Sequence, residues 1–108
     1  MYGVSWKEIQ PNGNQPIRMK TFATEERRQA FIDDLTNSGA HIEILSMGAA
    51  ELADFKPGTR VKIEKALHTE HIGKTGTVVK AVKKTWTVWV ELDEGGTYGS
   101  YAWNLRAI

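Results

Sequence analysis

The sequence predicts an α+β protein in two parts: a ββαβ unit over residues 1–47 and a small curled β-barrel over residues 55–108, joined by a linker at 48–54. Three observations predict it. Apolar residues alternate with polar ones at a period of two in several short runs, the mark of strands with one buried face. One segment alone, residues 25–37, carries helix start and stop signals. After residue 54, short strand-like runs follow one another across glycine-containing turns without a helix, as in small barrels.

In the first run, Tyr2, Val4 and Trp6 alternate with Gly3, Ser5 and Lys7. Asn12-Gly13, between Pro11 and Pro16, supplies a turn, and Ile17 and Met19 then alternate with Arg18 and Lys20 up to Phe22. Together the two runs read as a hairpin. Thr24 suits the N-cap of a helix, Glu25 and Glu26 place negative charge on its first turn, and Asn37-Ser38-Gly39 stops it. Phe31 and Leu35, four apart, are expected on its buried stripe. Ala40–Met47 returns as a strand. A unit of under about 50 residues is marginal alone, which predicts that it packs against the barrel.

Residues 48–54 read as a linker or one short helical turn. Pro57-Gly58 marks a turn, and Val61 and Ile63 alternate with Arg60, Lys62 and Glu64. A polar loop, Leu67 to Ile72, precedes the runs GKTGTVVKAV, TWTVWVELD and TYGSYAWNLRAI, with turns at Lys83-Lys84 and Glu94-Gly95-Gly96. In TWTVWVEL, Val88, Val90 and Leu92 share one face with Trp86, and Trp89 falls on the other with Thr87 and Glu91. With the valines in the core, Trp89 faces outward, unless the N-terminal unit covers it.

Composition narrows the function classes. A chain of 108 residues is too short for a cofactor domain plus a substrate domain, and 41% hydrophobic with 25% charged residues is ordinary for a folded protein. Without cysteine there is no disulfide, thiolate chemistry or Cys-ligated zinc. No apolar run approaches the ~20 residues that span a bilayer, and the N-terminus lacks the basic-then-apolar pattern of a signal peptide, so a cytoplasmic location is expected. The net charge of +1 hides an asymmetry: residues 1–54 hold five Lys/Arg against eight Asp/Glu, whereas residues 55–108 hold nine against five. The basic half could favour a polyanion or an acidic protein surface.

Gly73-Lys74-Thr75 imitates the tail of a phosphate-binding loop, G-x-x-x-x-G-K-[ST]. The first glycine of that motif would stand at 68, which is His68, and the residues after it are β-rich instead of opening a helix. Gly73 and Gly76 are therefore expected to be structural. The run FKPGTRVKIEKALHTEHIGKTGTVVKAV, with P-G-x-x-V-x-I and then G-K-x-G-x-V, resembles the start of a KOW or related SH3-like barrel. The ending VWVELDEGGTYGSYAWNLRAI is similar to barrels of that kind that close with an acidic-glycine hairpin and N-L-R-x-I. The resemblance covers residues 55–108 and implies an SH3-like (KOW-type) β-barrel on which the ββαβ unit packs. Such barrels serve ribosomal proteins, elongation factors and small accessory subunits.

Arg60, Lys62, Lys74, Lys80, Lys83 and Lys84 lie on the predicted strands and loops of this half, and basic loops beside aromatics are the footprint of RNA or DNA contact. An outward Trp89, with Tyr98 and Tyr101 from the next strand, could stack a base or cap an apolar side chain. Lysines also guard strand edges against aggregation. His68 and His71 have H-x-x-H spacing but no evident third ligand, and no nucleophile-base pair or paired-carboxylate signature stands out. The expectation is a non-catalytic binding module without cofactor or metal. Its partner would be RNA, DNA or a nucleoprotein machine such as the ribosome or RNA polymerase. The alternative is an accessory subunit or small inhibitor that docks on another protein, and a small-molecule pocket lined by Trp6, Trp86 or Trp103 is a third.

Overall fold

The structure, a computed structural model, describes residues 1–108. The chain divides into two compact units, Met1–Ala49 and Ala50–Ile108. No helix is long and apolar enough to cross a membrane.

The first unit is a three-stranded antiparallel sheet in the order β2-β1-β3 with one helix, built from β1 (Tyr2–Glu8), β2 (Ile17–Phe22), α1 (Glu25–Asn37) and β3 (Ile42–Ala49). Tyr2 pairs with Phe22 and Lys7 with Ile17, so the Asn-Gly turn sets the hairpin register. The Thr24 hydroxyl accepts from the Arg27 amide at 3.2 Å and caps the helix, and the Ser38 amide closes it on the Asp34 carbonyl. Phe31 meets Trp6 and Phe22 with ring centres 5.3 and 5.2 Å away, edge-tilted as aromatic pairs prefer. The helical stripe differs from expectation in one respect. Phe31 and Leu35 are only half-buried, and the buried helical residue is Arg28. Its guanidinium donates to the carbonyls of Gly3 (3.4 Å) and Gly48 (3.2 Å) and lies 5.6 Å from the Tyr2 ring centre. A buried cation is tolerable only with such partners.

The second unit contains β4 (Arg60–Ile63), β5 (Thr75–Val82), β6 (Thr87–Leu92), β7 (Thr97–Tyr101) and β8 (Leu105–Ala107). Short 3-10 turns occupy Leu52–Asp54, Thr69–His71 and Ala102–Asn104. All pairings are antiparallel, in the order β7-β6-β5-β4-β8. Phe55, Val61, Ile63, Val78, Val88, Val90, Leu92, Ala102 and Leu105 form one buried cluster on one side of this sheet. Each large aliphatic side chain so buried stabilises by about 1.5–3 kcal/mol.

The closed barrel implied by the resemblance to KOW and SH3-like proteins does not form. The architecture is α+β with two separate open sheets, and the terminal strands β7 and β8 are not hydrogen-bonded to each other. The reason lies in the crossing between them. After β7 the chain leaves through the 3-10 turn Ala102–Asn104, where the Asn104 carbonyl accepts from the Glu64 and Lys65 amides at the end of β4. β8 is then only three residues long and pairs with β4 alone, too short an edge to complete a cylinder.

The GKT stretch is a turn entering β5. Gly73 has a φ of 91° and its amide donates to the Ile63 carbonyl at 2.8 Å. Gly76 is demanded by close approach instead: a Cβ there would stand 2.5 Å from the Glu91 carbonyl oxygen.

Candidate functional site

Strands β5, β6 and β7 set a row of side chains across the sheet face opposite the core. Along β6, Val88, Val90 and Leu92 are buried and alternate with Thr87, Trp89 and Glu91. Register places Lys80 of β5 and Gly99 of β7 opposite Trp89, so a cation, an indole and a glycine follow one another across three strands. The next row on the same face is Val82, Thr87 and Tyr101. A shift of register between Val78 and Lys80 makes Val79 an extra residue on β5, and its side chain is exposed.

Trp89 lies over Gly99. A Cβ on Gly99 would be 2.9 Å from the indole Cζ3, 3.0 Å from Cη2 and 3.2 Å from Cε3, so only glycine leaves room for the ring to lie down on the strand. Trp89 still keeps 37% of its surface in solvent, whereas Trp6 and Trp103 are buried and Trp86 is half-buried. The indole is thus backed by Gly99 while part of the residue stays in solvent.

The turn from β5 to β6 carries Lys83 and Lys84, and at its end Trp86 has a φ of 53°, the one non-glycine residue in the left-handed region. For so bulky a side chain this is an outlier that costs about 1–2 kcal/mol. Its surroundings hold it there. The Trp86 amide donates to the Lys83 carbonyl (3.3 Å), its carbonyl accepts from the Ala102 amide (3.1 Å), and its ring packs on the buried cluster. Trp86 and Trp103 have ring centres 6.5 Å apart, and Trp103 in turn stacks on Tyr101 at 4.8 Å with planes 7° apart. An aromatic ladder thus anchors the end of the lysine-bearing turn.

The basic residues separate into neutralised and unpartnered ones. Arg60 grips Asp93 through both nitrogens, at 2.6 and 2.7 Å, and also donates to the Thr77 hydroxyl. The Arg60 guanidinium, with the Thr75 hydroxyl beside it, holds the Asp93 carboxyl well below the usual carboxylate range, and Asp93 raises Arg60 in return. Lys74 pairs with Glu94 at 2.6 Å, and Arg106 with Glu64 at 2.6 Å. Lys80, Lys83 and Lys84 have no carboxylate within ion-pair distance.

Of the residues singled out in the sequence, the structure places Lys80, Trp89 and Tyr101 on one face of β5–β7, with Lys83 and Lys84 on the turn between β5 and β6. It sets the others apart. Tyr98 stands opposite Val90 on the core side, against the His71 ring at 4.6 Å, and burial with the nearby Glu70 charge pushes its hydroxyl pKa up. Burial raises that of Tyr101 as well. Lys62 lines an open depression of about 360 Å³ with Ile63, Glu64, Ile72, Gly73 and Arg106. The His68 and His71 rings are 6.5 Å apart, and no group of three or more potential metal ligands gathers around them or elsewhere.

Gly99, Val79 and the strained Trp86 escaped the sequence reading. A glycine in the middle of the strand TYGSY was a usable signal of close approach. The φ of Trp86 and the bulge at Val79 leave no such trace.

Comparison with protein-family models, with curated proteins and with solved structures yields no match to the chain.

Proposed function

We propose that the protein is a non-catalytic binding module that recognises nucleic acid, alone or within a nucleoprotein assembly, through the outward face of β5–β7. A single observation carries this reading: of three lysines without carboxylate partners, Lys80 stands opposite the one exposed tryptophan, itself backed by Gly99, and Lys83 and Lys84 lie on the turn that leads into its strand. A polyanion gains counterion release from unpaired cations, and an open aromatic face adds stacking. Arg60 and Lys74 are already held by Asp93 and Glu94 and offer less, and Lys62 lies apart on β4, which narrows the six basic residues marked in the sequence to these three. A cytoplasmic setting suits a chain without cysteine.

Anisotropy titration of a labelled oligonucleotide across a salt series tests the reading. Replacing Lys83→Glu and Lys84→Glu together is expected to weaken binding by about tenfold or more at low salt and to flatten the salt dependence. No binding by the unaltered protein at low salt would sink it.

The second reading is docking on another protein. It is favoured by Val79, exposed at 48% on its bulge in the strand beside Trp89, which lends the face an apolar character that nucleic acid does not need. Capture of a partner that survives nuclease treatment and is lost in Trp89→Ala would favour it.

A further inference from the structure

We infer that the outward face of β5–β7 selects single-stranded over double-stranded nucleic acid, one unstacked base lying on Trp89 and the flanking phosphates meeting Lys80, Lys83 and Lys84. The inference rests on the nucleic-acid reading and adds the substrate class to it.

The geometry around Trp89 carries it. Gly99 removes the Cβ that would prop the indole upright, so the ring lies against the sheet with 37% of the residue still in solvent. A ring seated on the strand in that way offers its solvent-open part as a stacking surface. A base can match it only after leaving its own stack. Bases in a duplex are already stacked above and below and paired at their edges, so the platform gains nothing from them, whereas single strands supply free π faces at little cost. β5–β7 also bear no helix that could lie in a major groove.

The cations fit the same ligand. Lys80 sits directly across from Trp89 on the neighbouring strand, and Lys83 and Lys84 sit on a turn whose end is anchored by the left-handed Trp86 and its packing against the buried cluster. Three phosphate contacts predict a log-log salt slope of about −2 on a single strand, shallow enough that stacking is a visible share of affinity. Glu91, two residues along β6 and on the same face, opposes a phosphate at that end and directs the strand toward the Lys83-Lys84 end.

The test compares a short labelled oligothymidylate, the oligouridylate of equal length and a duplex of equal length, by anisotropy at one fixed low salt. Both single strands are expected to bind about tenfold more tightly than the duplex. Trp89→Ala should abolish that preference by weakening only the single strands, Trp89→Tyr should retain most of it, and Gly99→Ala, which lifts the ring, should reduce it. Lys83→Glu with Lys84→Glu should weaken all three ligands. Circular dichroism and thermal melting check that each variant folds, and Trp89→Tyr keeps the comparison valid if Trp89→Ala does not. Equal affinity for single strand and duplex, or an equal loss for both in Trp89→Ala, overturns the inference and leaves the nucleic-acid reading standing. Binding of none of the three ligands by the unaltered protein overturns both.

Discussion

The two units treat their positive charges in opposite ways. In residues 1–49 four of the five cations are absorbed: Lys7 pairs with Glu43 and Arg18 with Glu8, Lys20 stands 5.0 Å from the Phe31 ring centre, and Arg28 is buried against two backbone carbonyls. In the second unit, Lys80 is left in solvent opposite the exposed Trp89, and Lys83 and Lys84 are left in solvent on the turn between β5 and β6. A charge consumed by its own fold contributes stability and has little left for a ligand. An unpaired one contributes almost nothing to folding and remains available. The contrast therefore separates a unit whose cations are spent inside the fold from a surface whose cations stay unpaired.

The sharpest way to break that contrast is Arg28→Met, which keeps the apolar bulk but withdraws the donors from Gly3 and Gly48. Urea denaturation should show a loss of about 2 kcal/mol. Lys80→Met, by comparison, should change stability by less than about 0.5 kcal/mol. Equal effects at the two sites would erase the distinction. A smaller loss, about 0.5 kcal/mol, is expected for Lys20→Gln, where the cation over Phe31 and Phe22 is removed from a partly exposed position.

The smallest effect sharpens the comparison from the other side. Asp93→Asn frees Arg60 and turns a neutralised cation of the second unit into an available one. Oligonucleotide affinity should rise slightly. The pH dependence of stability should change too. The Asp93 carboxyl is lowered by the hydrogen bonds from Arg60 and then from Thr75, so its contribution is present above the unfolded value of about 4 and is lost as pH falls below it. Thermal melts of the two proteins should therefore converge on acidification below about pH 4. A constant gap between them down to the lowest pH at which both fold would show that the pair does not stabilise the fold.

Much of the local structure was legible. Period-two alternation located β1, β2 and β6, and Thr24 with Asn37-Ser38-Gly39 bounded the helix at the residues where it starts and stops, because capping and pleating are decided by near neighbours. The same alternation could have separated Tyr98 from Tyr101, three residues apart and hence on opposite faces of β7. The motifs P-G-x-x-V-x-I and G-K-x-G-x-V did mark turns and strand starts. They did not specify closure, which depends on whether the last strand is long enough to reach the first free edge.

For the site, the sequence by itself determined which residue types were present and, within one strand, that Trp89 opposes the valines. Only the tertiary structure decided that Gly99 lies beneath the indole, that Asp93 takes Arg60 across 33 positions of chain, and that Lys80 on this face, with Lys83 and Lys84 on the turn between β5 and β6, is left without a carboxylate. The physical reason is range. Periodicity and capping act over a few residues and can be read along the chain. Register between strands and the pairing of charges are set by contacts between distant segments, and a one-residue slip would have put a different side chain under the tryptophan.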